Sequence, residues 1–234
     1  MNVKIDLKSD FHSNMRLKIM TEGIITEGIT REDTLVIRYL TYLRKIGYPS
    51  QKRHIFESAS FHCPSAHRAG LECIKEKLKD GESIFAHHSK KIDNLNVNDL
   101  MFNEWGVVHL HLGVESDSND PRFVQRTGPL LFVLLSDKEA YLIGVGKHGD
   151  WTDSNILKTI YENWPQFIER NIVDAKGISY ELTSAEHAGL RKENINAVLA
   201  FESGGVKYTI PQLELLLQVI LLEMSGITCG LLVF

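Results

Sequence analysis

The sequence predicts an α+β fold: a helical N-terminal part, a central antiparallel β-sheet of three or more strands packed by helices, and a small α/β C-terminal part. Three observations carry this expectation. Apolar residues recur at helical spacing between Leu35 and Leu43, and again between Ala66 and Leu78. From Trp105 onward the hydrophobic period drops to two. After residue 172, strand, helix and hairpin signals follow one another at short intervals. The hydrophobic period is the main local signal of element type. It divides the chain into a helical part (1–98), a candidate functional core (99–172) and a C-terminal strand–helix–hairpin–helix part (173–234).

The first thirty or so residues show little order, although Val3, Ile5 and Leu7 alternate with charge as an edge strand does. Thr30 is placed to cap the first helix, with Glu32 and Asp33 at its positive end. Gly47 and Pro49 are the expected stop signals. A second helix opens near Pro64 and stops at Gly81. The polar stretch containing His87 and His88 reads as a loop.

In Trp105-Gly-Val-Val-His-Leu-His-Leu, residues Val108, Leu110 and Leu112 share one face, and Val107, His109 and His111 share the other. Leu130–Leu135 is a continuous apolar run, as in a strand buried on both faces. Ala140–Gly146 returns after a polar turn, so three hairpin-linked antiparallel strands are expected. Asp153 caps the next helix, and Pro165 ends or restarts it. Ile178–Leu182 suggests a short strand. Thr183-Ser-Ala-Glu186 is a capping box, and Ser203-Gly-Gly205 is a hairpin turn between two apolar runs. The run from Leu213 to Met224 reads as a helix apolar nearly all round, buried in the core or in a homo-oligomer interface.

Composition narrows the function classes. The content of 43% hydrophobic and 24% charged residues is that of a globular chain, not a disordered one. A net charge of −4 disfavours a protein that coats nucleic acid, so any RNA contact must be a local patch. Cys63, Cys73 and Cys229 lack metal-knuckle spacing and fit reduced thiols in the cytoplasm. No secretory leader and no apolar run of about 20 residues is evident. Glycine-rich phosphate loops, the Gly-x-Ser-x-Gly elbow, Cys-x-x-Cys and His-Glu-x-x-His are all missing.

What remains is a cluster. His109 and His111 lie two apart on one strand, which puts their Cβ atoms roughly 6–7 Å apart on one face. Antiparallel order brings the end of the first strand, the start of the second and the end of the third to one edge. His111, Arg122, Arg126, Lys147 and His148 can meet there.

Two chemistries fit. Metal-independent RNA cleavage needs a base, an acid and cations for the phosphate. Imidazoles fill both proton-transfer roles near neutrality, and arginine forks onto phosphate oxygens. Here His109, His111, Arg126 and His148 are the candidate catalytic residues, with Arg122, Lys147 and Trp151 contacting substrate. Trp105 or Trp151 would stack a base. The alternative is a metal-dependent hydrolase, with zinc or another transition ion on His109, His111, His148 and Asp150. Each feature also has an ordinary reading: packed histidines, solvated arginines, core tryptophans. A non-enzymatic interaction protein of bacterial or phage type is therefore a third expectation.

The run Trp105-Gly-Val-Val-His-Leu-His, then Arg126-x-Gly-Pro-Leu-Leu-Phe-Val, then Tyr141-Leu-Ile-Gly-Val-Gly-Lys-His resembles the sheet of RelE/ParE-type toxins over residues 64–151. The resemblance implies a helical pair before a small antiparallel sheet, and cleavage of ribosome-bound mRNA, in that family usually without metal, although some of its members act on gyrase instead. It also implies an antitoxin-like partner. By position, Arg126 matches the family's phosphate-contacting arginine and His148 its late acid or base. This chain is longer than those toxins and acidic, and residues 173–234 have no counterpart in them.

Overall fold

The fold is given by a computed structural model, which describes residues 6–172, 182–193, 195 and 197–211. It is α+β. The elements are α1 (Leu7–Thr21), α2 (Glu32–Lys45), β1 (His54–Glu57), α3 (Arg68–Asp80), α4 (Leu100–Trp105), β2 (Val107–His111), β3 (Pro129–Leu135), β4 (Glu139–Lys147), α5 (Asn155–Asn163), α6 (Ser184–Lys192), β5 (Val198–Ser203) and β6 (Val206–Pro211), joined by short 3-10 turns. A four-stranded sheet has the order β1-β4-β3-β2, and β5-β6 form a separate hairpin.

The three expected strands are present and antiparallel. His111 pairs with Leu130, and Leu130 with Gly146, so the predicted ends do share one edge. The fourth strand was not expected. β1 is short, mostly exposed and pairs parallel to β4, so the sheet is mixed. Buried Arg53 anchors the entry to β1 by donating to the carbonyls of Gly47 and Ser136.

Both faces of the sheet are covered. Leu71, Ile74 and Leu78 of α3 pack on Val108, Leu110, Leu131, Val133 and Leu142. On the other face Ile156, Leu157 and Ile160 of α5, with Leu199 and Phe201 of the hairpin, cover Val107, Leu130, Phe132 and Ile143. β3 is accordingly buried on both sides, as its unbroken apolar run requires. The α3 cluster draws on residues from Cys63 to Leu142, so a single core runs through position 98/99. A third cluster joins α1 and α2 through Ile19, Ile24, Leu35 and Tyr39.

Several local expectations are corrected. Leu7 opens α1, with Asp6 as its N-cap, rather than ending a strand, and residues 1–5 lie outside the described residues. The N-cap of α2 is Arg31, not Thr30. Trp105 ends a helix: α4 is capped by Asp99, whose carboxylate accepts from the Phe102 N–H, and stops at Gly106 in the left-handed region. The chain reverses there into β2, a conformation glycine adopts without steric penalty. Asp153 does accept from the Asn155 N–H, but Ser154 is the N-cap of α5. The capping box of Thr183 and Glu186 and the turn at Gly204 and Gly205 form as expected. Most of Ile178–Leu182, the helix expected from Leu213 to Met224, and Cys229 lie outside the described residues. Cys63 and Cys73 are free thiols. No helix among the described residues is long and apolar enough to cross a membrane.

Candidate active site: a histidine-lined cleft at the sheet edge

β2 is an edge strand, and its face bearing Val107, His109 and His111 is only partly roofed. Val107 is fully buried under α4 and α5. Further along, the roof gives way to a cleft of about 490 Å³. His109, His111, Arg126, His148 and Trp151 all line it. The opposite wall is the 89–101 segment, and α6 closes one end with Ala188, Arg191 and Lys192.

Local geometry explains the convergence. The Thr127 hydroxyl accepts from the Leu112 N–H and donates to the Pro129 carbonyl, folding the 125–129 loop back over the end of β2 and carrying Arg126 to the cleft. The Thr127 N–H donates to Nδ1 of His111 at 3.3 Å. A neutral His111 ring therefore carries its proton on Nε2. After β4, Gly149 takes a positive φ and Asp150 accepts the Lys147 N–H at 2.6 Å. That tight turn sets His148 5.9 Å from the His111 ring and brings Trp151 to 5.1 Å from His148 and 5.8 Å from His109, centroid to centroid.

The electrostatics differ from those of the whole chain. Five cationic side chains line the cleft (Lys45, Lys91, Arg126, Arg191 and Lys192) against the single carboxylate of Asp99. Two of the five are engaged. Lys45 lies 2.5 Å from Asp99. Arg191 forks onto Glu104 and donates to the Trp151 carbonyl. Arg126, Lys91 and Lys192 form no ion pair with any described residue.

Burial holds His109 and His111 neutral. His111 is pushed down to about 4, by desolvation first and then by Arg126 and His148. Desolvation also lowers His109, partly offset by Asp99. His87 and His88 are depressed for the same reason.

The other expected site residues fall elsewhere. Arg122 is held by Asp93 and Asp120 at the far side of the loop, away from the cleft. The side chains of Lys147 and Asp150 do not line the cleft either. Without Asp150 the alternative metal set lacks its carboxylate, and no group of three His, Cys, Asp or Glu residues among the described ones is arranged to hold a metal ion. Trp105 is buried beneath Arg191 and His187, so it offers no stacking face to a substrate. Trp164 is a core residue, as expected.

Sequence reasoning missed four contributors. Asp99 and Lys45 carry no motif and come from distant elements. His87 and His88, read as loop, are buried behind β2, and Nδ1 of His87 donates to the His111 carbonyl at 2.9 Å. A His-His pair bracketed by Ile84 and Ile92 gave the only hint. Comparison with protein-family models, curated proteins and solved structures finds no match to this chain.

Proposed function

We propose that the chain is a toxin-like, metal-independent endoribonuclease whose reaction centre is this cleft. The observation that carries the reading is the meeting of three imidazoles, an unpaired arginine and a tryptophan in one open site. In the reaction the RNA 2′-oxygen attacks the adjacent phosphorus. The O2′–P bond forms, the P–O5′ bond breaks, and a 2′,3′-cyclic phosphate and a free 5′-hydroxyl result.

His109 suits the base. Its Nδ1 is buried facing Asp99, which leaves Nε2 for the 2′-hydroxyl proton, and its lowered proton affinity keeps it neutral. His148 is exposed at the mouth of the cleft and is placed to deliver a proton to the 5′-oxygen. Neutral His111 offers Nε2–H to a phosphate oxygen without adding charge, and Arg126 neutralises the phosphate. The half-exposed Trp151 ring is the surface for a base. The RelE/ParE resemblance points the same way, toward mRNA on the ribosome.

Incubation with RNA in EDTA, alone and with ribosomes, tests this. Cleavage to cyclic-phosphate ends is expected, with His109→Ala and His148→Ala each reduced about 100-fold or more. The acid limb of kcat/KM should lie below pH 6.5, because the base is depressed. A deoxyribose at the scissile position should block cutting. Intact RNA under both conditions would remove the proposal.

A further inference from the structure

The proposed base does not stand alone. Asp99 sits at the N-cap of α4 with its side chain only 8% exposed, and one carboxylate oxygen is used by the Phe102 N–H. The other, Oδ2, faces both Lys45 Nζ at 2.5 Å and His109 Nδ1 at 3.7 Å. Nδ1 of His109 is buried without a hydrogen-bond partner, and the buried Asp99 Oδ2 that faces it is held by the Lys45 ion pair. A buried ring nitrogen without a partner is costly unless the carboxylate facing it serves it. Among the described residues, the carboxylate that faces this nitrogen is that of Asp99.

We infer that Asp99 and Lys45 form a positioning pair for His109. Asp99 fixes the tautomer with its proton on Nδ1 and turns Nε2 to the cleft. Lys45, from the last turn of α2, holds the carboxylate ionised and in place. The 3.7 Å gap is longer than a hydrogen bond, and catalytic contacts of this kind often close only when substrate binds. Asp99 and Lys45 are thus positioning residues and touch no reacting atom. This inference deepens the ribonuclease reading and rests on it for its catalytic meaning, but the geometry itself does not need RNA. Besides this pair, the charged and titratable groups facing His109 are Arg126 and His148 on the cleft side, His111 beside it on β2 and His88 behind the strand.

The test is NMR titration of the His109 ring in the full chain, its signals identified by their loss in His109→Gln. Asp99→Asn keeps the helix cap, because asparagine caps as well as aspartate. It removes an attractive charge, so the His109 midpoint should fall by about one pH unit, and the Nδ1–H tautomer should be lost. Lys45→Met removes a repulsive charge, so the midpoint should rise. Lys45→Gln replaces it if the methionine variant does not fold.

Opposite shifts support the pair. A midpoint unmoved in Asp99→Asn, or shifts of the same sign in both variants, would reduce Asp99 to a helix cap and overturn the inference. If RNA cleavage is also seen, Asp99→Asn should lower kcat while leaving KM unchanged, with the acid limb moved by the same amount. Opposite NMR shifts without cleavage would sink the ribonuclease reading and leave the positioning pair standing.

Discussion

His111 shows how far environment outweighs residue type. An ordinary imidazole gains its proton near 6.5, whereas this one holds out to about 4. Its backbone carbonyl takes a hydrogen bond from His87 and its Nδ1 takes one from Thr127, so it is fixed as a neutral donor. Arg126 is the converse, an exposed guanidinium with no carboxylate partner among the described residues, beside that donor. A planar fork on phosphate is not reproduced by an ammonium. Arg126→Ala should therefore cost about 10- to 100-fold in single-turnover cleavage, with only partial recovery in Arg126→Lys. Equal rates for all three would show that Arg126 does not touch the scissile phosphate.

Two close contacts fix the elements around β2. α3 crosses the end of β2 at Gly70, where an added Cβ would sit 1.9 Å from the Leu112 carbonyl oxygen. Backbone cannot yield there as a flexible side chain does. Gly70→Ala should force α3 away from the sheet and cost about 1–3 kcal/mol or more, read by chemical denaturation; an unchanged midpoint would mean that the helix shifts freely. At the other end, α6 is clasped to α4 by the buried Arg191–Glu104 pair, with His187 3.6 Å from the same carboxylate and the guanidinium 4.9 Å from the Trp105 ring. Removing one partner strands a buried charge, so Arg191→Met should destabilise by about 3–5 kcal/mol. Glu104→Gln with Arg191→Met should recover part of that loss, and a double variant no better than the single would deny the coupling.

At the scale of the whole molecule, an acidic chain gathers three cations without ion-pair partners among the described residues, Lys91, Arg126 and Lys192, at one cleft, a local field that would steer an anionic ligand without making the protein generally basic. The same place concentrates buried neutral histidines. His87, His88, His109 and His111 all bind protons less readily folded than unfolded. Stability linked to them is fully present above about pH 6.5. Below that the unfolded chain takes up more protons, and stability drains as pH falls toward the folded values, for His111 about 4. Thermal melts should therefore drop steadily from pH 6.5 to 4, and His111→Asn should flatten that slope. A melting temperature constant across the range would contradict the assignment.

Element type and the pairing of β2, β3 and β4 were legible in the residues themselves, because period two, an unbroken apolar run and turn signals are local. Those same cues placed His109 and His111 on one face, and antiparallel order put Arg126 and His148 near them. β1 was not legible, since four mostly exposed residues carry no period. Nor were the fates of Arg122, Lys147 and Asp150, which share an edge by topology but point elsewhere. Lys45, Asp99, His87 and His88 reach the site across long sequence separations, from a helix end, a cap and a loop. The sequence by itself determined the fold class, the strand faces and the core of the histidine cluster, since each follows from local spacing. Only the tertiary structure decided which charges are spent on one another and which are left facing the cleft, because pairing depends on distances in space that chain order does not set.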